Sequence, residues 1–150
     1  MKEPGELKDL DVGGVKAALE KAGVEIYRVR AEEIQVAERV RLHIMDSGVR
    51  VIVSDAKAWI RFTVRSQKSD FPNAPPDELF DRVRRRVGDG ANQRGFAEKE
   101  SRVHQVTDPV DENKVLDVWH EVVYEKSLAT SDEVVEEVRW ALEVEKYVSD

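Results

Sequence analysis

The chain contains no cysteine. That excludes disulfides, thiolate nucleophiles, iron–sulfur clusters and cysteine-ligated zinc, and it fits the reducing cytoplasm, the compartment expected for this protein. Histidine is scarce: only His43, His104 and His120. Long apolar runs are missing too. No stretch approaches the roughly 20 apolar residues of a membrane span, so no membrane association is expected. Met1-Lys2-Glu3-Pro4-Gly5 leads into no apolar run, so no secretory signal is expected. Aromatic residues reach only 7%, whereas charged residues reach 37% and hydrophobic ones 41%, which together describe a modest core inside a heavily charged shell.

The charge is uneven. The net value is −7. Residues 1–95 carry 18 Lys/Arg and 16 Asp/Glu, but residues 96–150 carry 6 and 15. An acidic chain repels phosphate backbones at long range, so direct nucleic-acid binding is not expected. At 150 residues the chain has the size of one α+β domain spanning 1–150, with residues 1–11 loosely ordered.

A first helix is expected over Val12–Ala22, with Val15, Ala18 and Leu19 as its apolar stripe, Asp11 as N-cap and Gly23 as stop. Val24, Ile26 and Val29 suggest a short extra strand. Ile34, Val36, Val40, Leu42 and Ile44 share one parity and read as a single long strand, closed by a hairpin turn at Asp46-Ser47-Gly48. Val49, Val51 and Val53 run back. Asp55-Ala56-Lys57 turns into a strand over Trp59–Val64, with Arg61, Thr63 and Arg65 facing out. These strands form an antiparallel meander.

Pro75 and Pro76 open a middle helix whose inner face is Leu79, Phe80, Val83 and Val87, stopped at Gly88-Asp89-Gly90. Phe96–Thr107 is extended. Val115–Tyr124 satisfies both strand and helix spacing; its β-branched residues and the preceding polar turn favour strand. Thr130 with Glu133 forms a capping box for a last helix whose stripe runs from Val134 to Val148. The expected order is α-β-β-β-α-β-β-α, an antiparallel sheet with helices.

No chemistry-bearing motif assembles. His120-Glu121-Val122-Val123-Tyr124 begins like a zinc-protease helix, but the second histidine is replaced by Tyr124. Gly88, Gly90 and Gly95 follow a helix rather than precede one, so they aim no helix N-terminus at a phosphate. Asp108, Asp111, Glu112 and Asn113 lack the alternation and the sixth-position glycine of a calcium loop. No catalytic residue, cofactor or metal is therefore expected. Arg82, Arg84, Arg85 and Arg86 form the one basic cluster, suited either to capping a helix and pairing with surface acids or to binding an acidic partner or phosphate. Trp140 lies off the stripe of the last helix. Trp140, Arg82, Arg85 and Arg86 are the candidate partner or dimer contacts.

The element order resembles the fold of class I type III secretion chaperones and the related YbjN-like proteins, from about Val12 to Val148. Trp59-Ile60-Arg61-Phe62 before the middle helix is similar to that pattern. So are Ala91-Asn92-Gln93-Arg94-Gly95-Phe96 after that helix and Thr130-Ser131-Asp132-Glu133 before the last one. The resemblance implies a homodimeric, non-enzymatic protein that binds another polypeptide, and it transfers no functional residue. Two alternatives stay open: an acidic immunity- or inhibitor-type protein with a basic target, and a small-molecule-binding α+β domain.

Overall fold

The computed structural model describes residues 10–149. The fold is α+β, and the chain divides into two compact units. The first holds residues up to Arg61 together with Lys126–Glu143; the second holds Phe62–Glu125 and the residues from Val144 on. The expectation of loose order over 1–11 falls, for residues 1–9, outside the described residues. Leu10 bridges Ala56, and the Asp11 carboxylate accepts from the Gly14 N–H at 2.6 Å as the expected N-cap.

In the first unit, helix α1 (Val12–Lys21) buries Val15 and Leu19 completely, each burial stabilising by roughly 1.5–3 kcal/mol. Its stop is a Schellman motif. Gly23 takes φ +86°, its N–H bonds the Glu20 carbonyl, and the Val24 N–H reaches Leu19. Four strands follow, each antiparallel to the next: β1 (Ile26–Arg30), β2 (Glu33–Val40), β3 (His43–Ser54) and β4 (Lys57–Gln67). The short strand after α1 is thus a full member of the meander.

The long strand expected through Ile44 is interrupted. The chain reverses at Arg41-Leu42, with Arg41 at φ +58°, and Asp46-Ser47-Gly48 is a bulge inside β3. Glycine favours a left-handed conformation in a turn and in a bulge alike, so the local pattern at Gly48 fits both. Gly48, at φ +85°, provides the kink. Ser47 compensates for the ladder bonds the kink removes: its hydroxyl donates to the Val36 carbonyl at 2.6 Å and accepts from the Val49 N–H at 3.1 Å. Asp55 and Ala56, both at positive φ, make the tight β3–β4 turn. Inner-face residues Ile34, Val51 and Ile60 are fully buried.

Helix α4 (Ser131–Glu143) packs on β3 and on α1 through Val134, Val138 and Ala141. Its capping box is closed. The Glu133 N–H donates to Thr130 Oγ1, and Glu133 Oε1 accepts from the Thr130 N–H. The helix ends at Glu143 rather than continuing to Val148.

In the second unit, β4 carries the short strand β7 (Tyr147–Val148) in parallel register, with Arg65 opposite Tyr147 and Ser66 opposite Val148. The Arg65 N–H bonds the Lys146 carbonyl. Val148 is buried by this pairing, not by a helical stripe. The other strands here are β5 (Ala97–Thr107) and β6 (Val115–Leu128), which settles Val115–Tyr124 as strand. The strand order is β4-β6-β5, with β5 outermost.

The middle helix does not stop at Gly88. Helix α2 (Pro76–Val83) passes through one π-helical turn (Arg84–Gly88) into α3 (Asp89–Gln93). Gly88 adopts ordinary helical angles. Its lack of a side chain matters for another reason: a Cβ there would sit 2.9 Å from the Tyr124 hydroxyl. The stop falls at Gly95, φ +94°, in a second Schellman motif in which the Phe96 N–H reaches Ala91. Phe62 is the centre of this core, edge-on to Phe96 at 5.3 Å and tilted against Tyr124 at 5.6 Å.

Candidate functional site

The second unit carries a long antiparallel ribbon of β5 and β6. The strands pair from Ala97 opposite Glu125 to Thr107 opposite Val115. β5 is an eleven-residue edge strand, exposed along almost its whole length. An edge of that length presents a row of unpaired backbone donors and acceptors.

The two halves of β5 differ. The first is guarded. Glu98, Lys99 and Glu100 crowd it, a bulge falls between Glu98 and Glu100, and Glu98 is held by Arg84 through two bonds of 2.9 Å. Charges and bulges of this kind discourage strand addition. The second half, Ser101–Thr107, has regular register down to Val106 and one full charge, Arg102, which is tied back to Glu121 on β6 at 2.9 Å. Val103 stands 54% exposed on it, and Leu116, near the distal end of β6, 51%. This half offers open backbone and apolar side chains together.

The two faces of the ribbon have different chemistry. His104 and Trp119 pair across the strands on one face, rings 5.5 Å apart, and the Arg65 guanidinium lies 4.1 Å from the Trp119 ring. His120 and Tyr124 lie on the other, buried face. His120 meets Phe80 edge-on at 5.1 Å. Burial, helped by the nearby Lys68 charge, holds its pKa below the usual 6.5 despite Asp117. Burial, with the Glu98 carboxylate adding to it, pushes the Tyr124 hydroxyl up to about 12. His104 and His120, at successive cross-strand positions, therefore point to opposite faces and do not converge. Among the described residues no group of three metal-ligating side chains forms.

The residues singled out as contacts fall in different units. Trp140 is a half-buried residue of α4 in the first, beside the stripe of Val134, Val138 and Ala141. Arg82, Arg85 and Arg86 are in the second. Arg82 bonds Glu78 and lies 3.9 Å from the Phe71 ring; Arg86 pairs with Glu145 at 3.1 Å; Arg85 is exposed. Much of the basic cluster is thus engaged on its own unit. The edge position of β5 is not among these candidates. Alternation can suggest that Ser101–Thr107 is a strand, but which strand ends a sheet is decided by pairing.

The first unit has an open cleft of about 430 Å³ bordered by Val24, Arg39, Arg139 and Leu142. Its charged groups are used locally. Arg39 forms a two-bond pair with Glu25, each bond 3.0 Å, and Arg139 donates to the Ala22 carbonyl at 2.6 Å, where a cation suits the end of α1.

No family model, curated protein or solved structure matches this chain. No helix among the described residues is long and apolar enough to cross a membrane.

Proposed function

We propose that the protein is a non-catalytic, chaperone-like or adaptor module of the cytoplasm that works as a homodimer and takes up an extended segment of a partner polypeptide. The reading follows the resemblance to class I type III secretion chaperones and YbjN-like proteins. One observation carries it: the distal half of β5, the more open part of that edge, with a single full charge at Arg102 and apolar side chains exposed beside it. Strand addition at such an edge draws affinity from main-chain hydrogen bonds and specificity from alternate side chains. The edge needs no cofactor.

The test is a paired capture. Wild-type protein and V103K are immobilised side by side, and bound polypeptides are identified by mass spectrometry. Val103 is exposed, so the lysine is tolerated by the fold and guards the edge as charges do elsewhere. The expected result is a recurrent partner retained by wild type and lost by V103K, at unchanged melting temperature. Identical retention by both would remove the edge from the mechanism. Light scattering of the free protein checks the dimer, and a strict monomer removes that element.

A further inference from the structure

The outer face of the β1–β4 meander in the first unit is strongly basic, in a chain whose net charge is −7. The register defines this face. One cross-strand row is Arg28, Gln35, Arg50 and Arg61; the next is Arg30, Glu33, Ile52 and Trp59; the last pairs Ser54 with Lys57. Of these ten positions five are cations and one is a carboxylate, and Gln35 is itself buried.

Part of the face is held in a fixed polar network. Arg28 Nε donates to Gln35 Oε1 at 3.2 Å, and Gln35 Nε2 donates to Glu33 Oε2 at 3.0 Å. Arg50 approaches Glu33 at 3.4 Å and is gripped by both oxygens of Asp46, at 2.6 and 2.7 Å. Both carboxylates that reach the face, Glu33 and Asp46, are therefore already committed. Arg50 stands directly opposite Arg61, with Asp46 and Glu33 countering its charge. Arg30 and Lys57 are exposed at the margins, and Trp59 is half-exposed among the cations.

We propose that this face is a docking surface for an acidic polypeptide segment, whose carboxylates pair with Arg28, Arg30, Lys57 and Arg61 around Trp59. Charge complementarity selects the occupant. Arginine forks match carboxylates two bonds at a time. The face has one aromatic ring, not the succession of rings on which single-stranded bases stack. This surface is separate from the β5 edge, and the two readings stand or fall separately.

The experiment measures binding of fluorescein-labelled poly-L-glutamate by anisotropy at low and at physiological salt. The proteins are wild type, R30E, K57E, the R30E/K57E double variant, and K68E/K114E, an exposed control of the same charge change as the double variant on the other unit. Thermal melts establish that each is folded. The expected result is saturable, salt-sensitive binding to wild type. It weakens by a factor of about ten in the double variant, less in each single one, and stays within about twofold of wild type in K68E/K114E. Absence of saturable binding overturns the proposal. So does a loss in K68E/K114E equal to that in R30E/K57E, which would mean only net charge is felt. Tighter binding of labelled oligothymidylate, lost in the same double variant, replaces the polypeptide with nucleic acid. Self-association of wild type that R30E/K57E abolishes makes the occupant a second copy.

Discussion

Among the described residues of the first unit, the buried polar side chains all meet partners. Ser47 bridges the two strands of the β2–β3 bulge, Gln35 joins Arg28 to Glu33, and Glu137 receives Lys126 at 3.2 Å. In the second unit, Ser66 Oγ, His120 Nδ1 and the Tyr124 hydroxyl are buried without a hydrogen-bond partner among the described residues. The difference teaches what each set is for. Ser47 repairs a ladder that Gly48 interrupts, so its polarity is structural. His120 and Tyr124 are held by their rings, against Phe80 and against Phe62, so shape keeps them in place while their polar atoms are a standing cost of about 1–3 kcal/mol each.

The largest expected effect tests the closest contact in the second unit. Gly88→Ala places a methyl 2.9 Å from the Tyr124 hydroxyl, and the buried ring has little room to withdraw. Urea denaturation is expected to give a loss of about 2 kcal/mol, overpacking outweighing the gain in helix propensity. In a Tyr124→Phe background the loss is expected to fall by more than half. An unchanged loss would place the clash elsewhere.

Next come the two serines, which set the comparison directly. Ser47→Ala leaves the Val36 carbonyl and Val49 N–H without their partner, an expected loss of about 2 kcal/mol. Ser66→Ala removes a hydroxyl that has no partner, and is expected to change stability by less than about 0.5 kcal/mol or to raise it slightly. Equal effects in the two variants would erase the contrast between the units.

A pH titration sharpens it further. The folded pKa of His120 lies below 6.5, so below that pH the unfolded chain binds a proton that the folded chain refuses. Stability is intact above pH 6.5 and is lost as pH falls from there to the folded value, by about 1.4 kcal/mol for each pH unit between the two pKa values. His120→Phe, monitored by thermal melts between pH 7.5 and about pH 5, is expected to remove this component. A slope that persists would assign it to other groups. Tyr124→Phe alone is expected to stabilise by about 1 kcal/mol, because it deletes an unsatisfied hydroxyl and keeps the ring contact with Phe62.

Much of this architecture is legible in local pattern. Asp11 and the Thr130–Glu133 box mark helix starts because capping bonds span only three residues. The apolar stripes of α1 and α2 follow the helical period. The turns are harder to place. Gly48 and Gly88 look like stops, but the first kinks a strand and the second makes room for a tyrosine ring 36 residues further along. Of the candidate surfaces, the Arg82–Arg86 cluster is contiguous and easily seen. The basic face is not. Arg28, Arg30, Arg50, Lys57 and Arg61 are dispersed over three strands, and only the register gathers them.

The sequence by itself determined the α+β class, the N-caps of α1 and α4, the alternation of β3 and β4 and the absence of thiol chemistry, because each depends on residues within a turn or two of one another or on composition alone. Tertiary structure decided which strand became the open edge, which glycines bend rather than end an element, and that the tail at Tyr147-Val148 pairs with β4 instead of extending a helix. Those outcomes depend on hydrogen bonds and packing between residues distant in the chain, and local pattern holds no record of which distant partner is met.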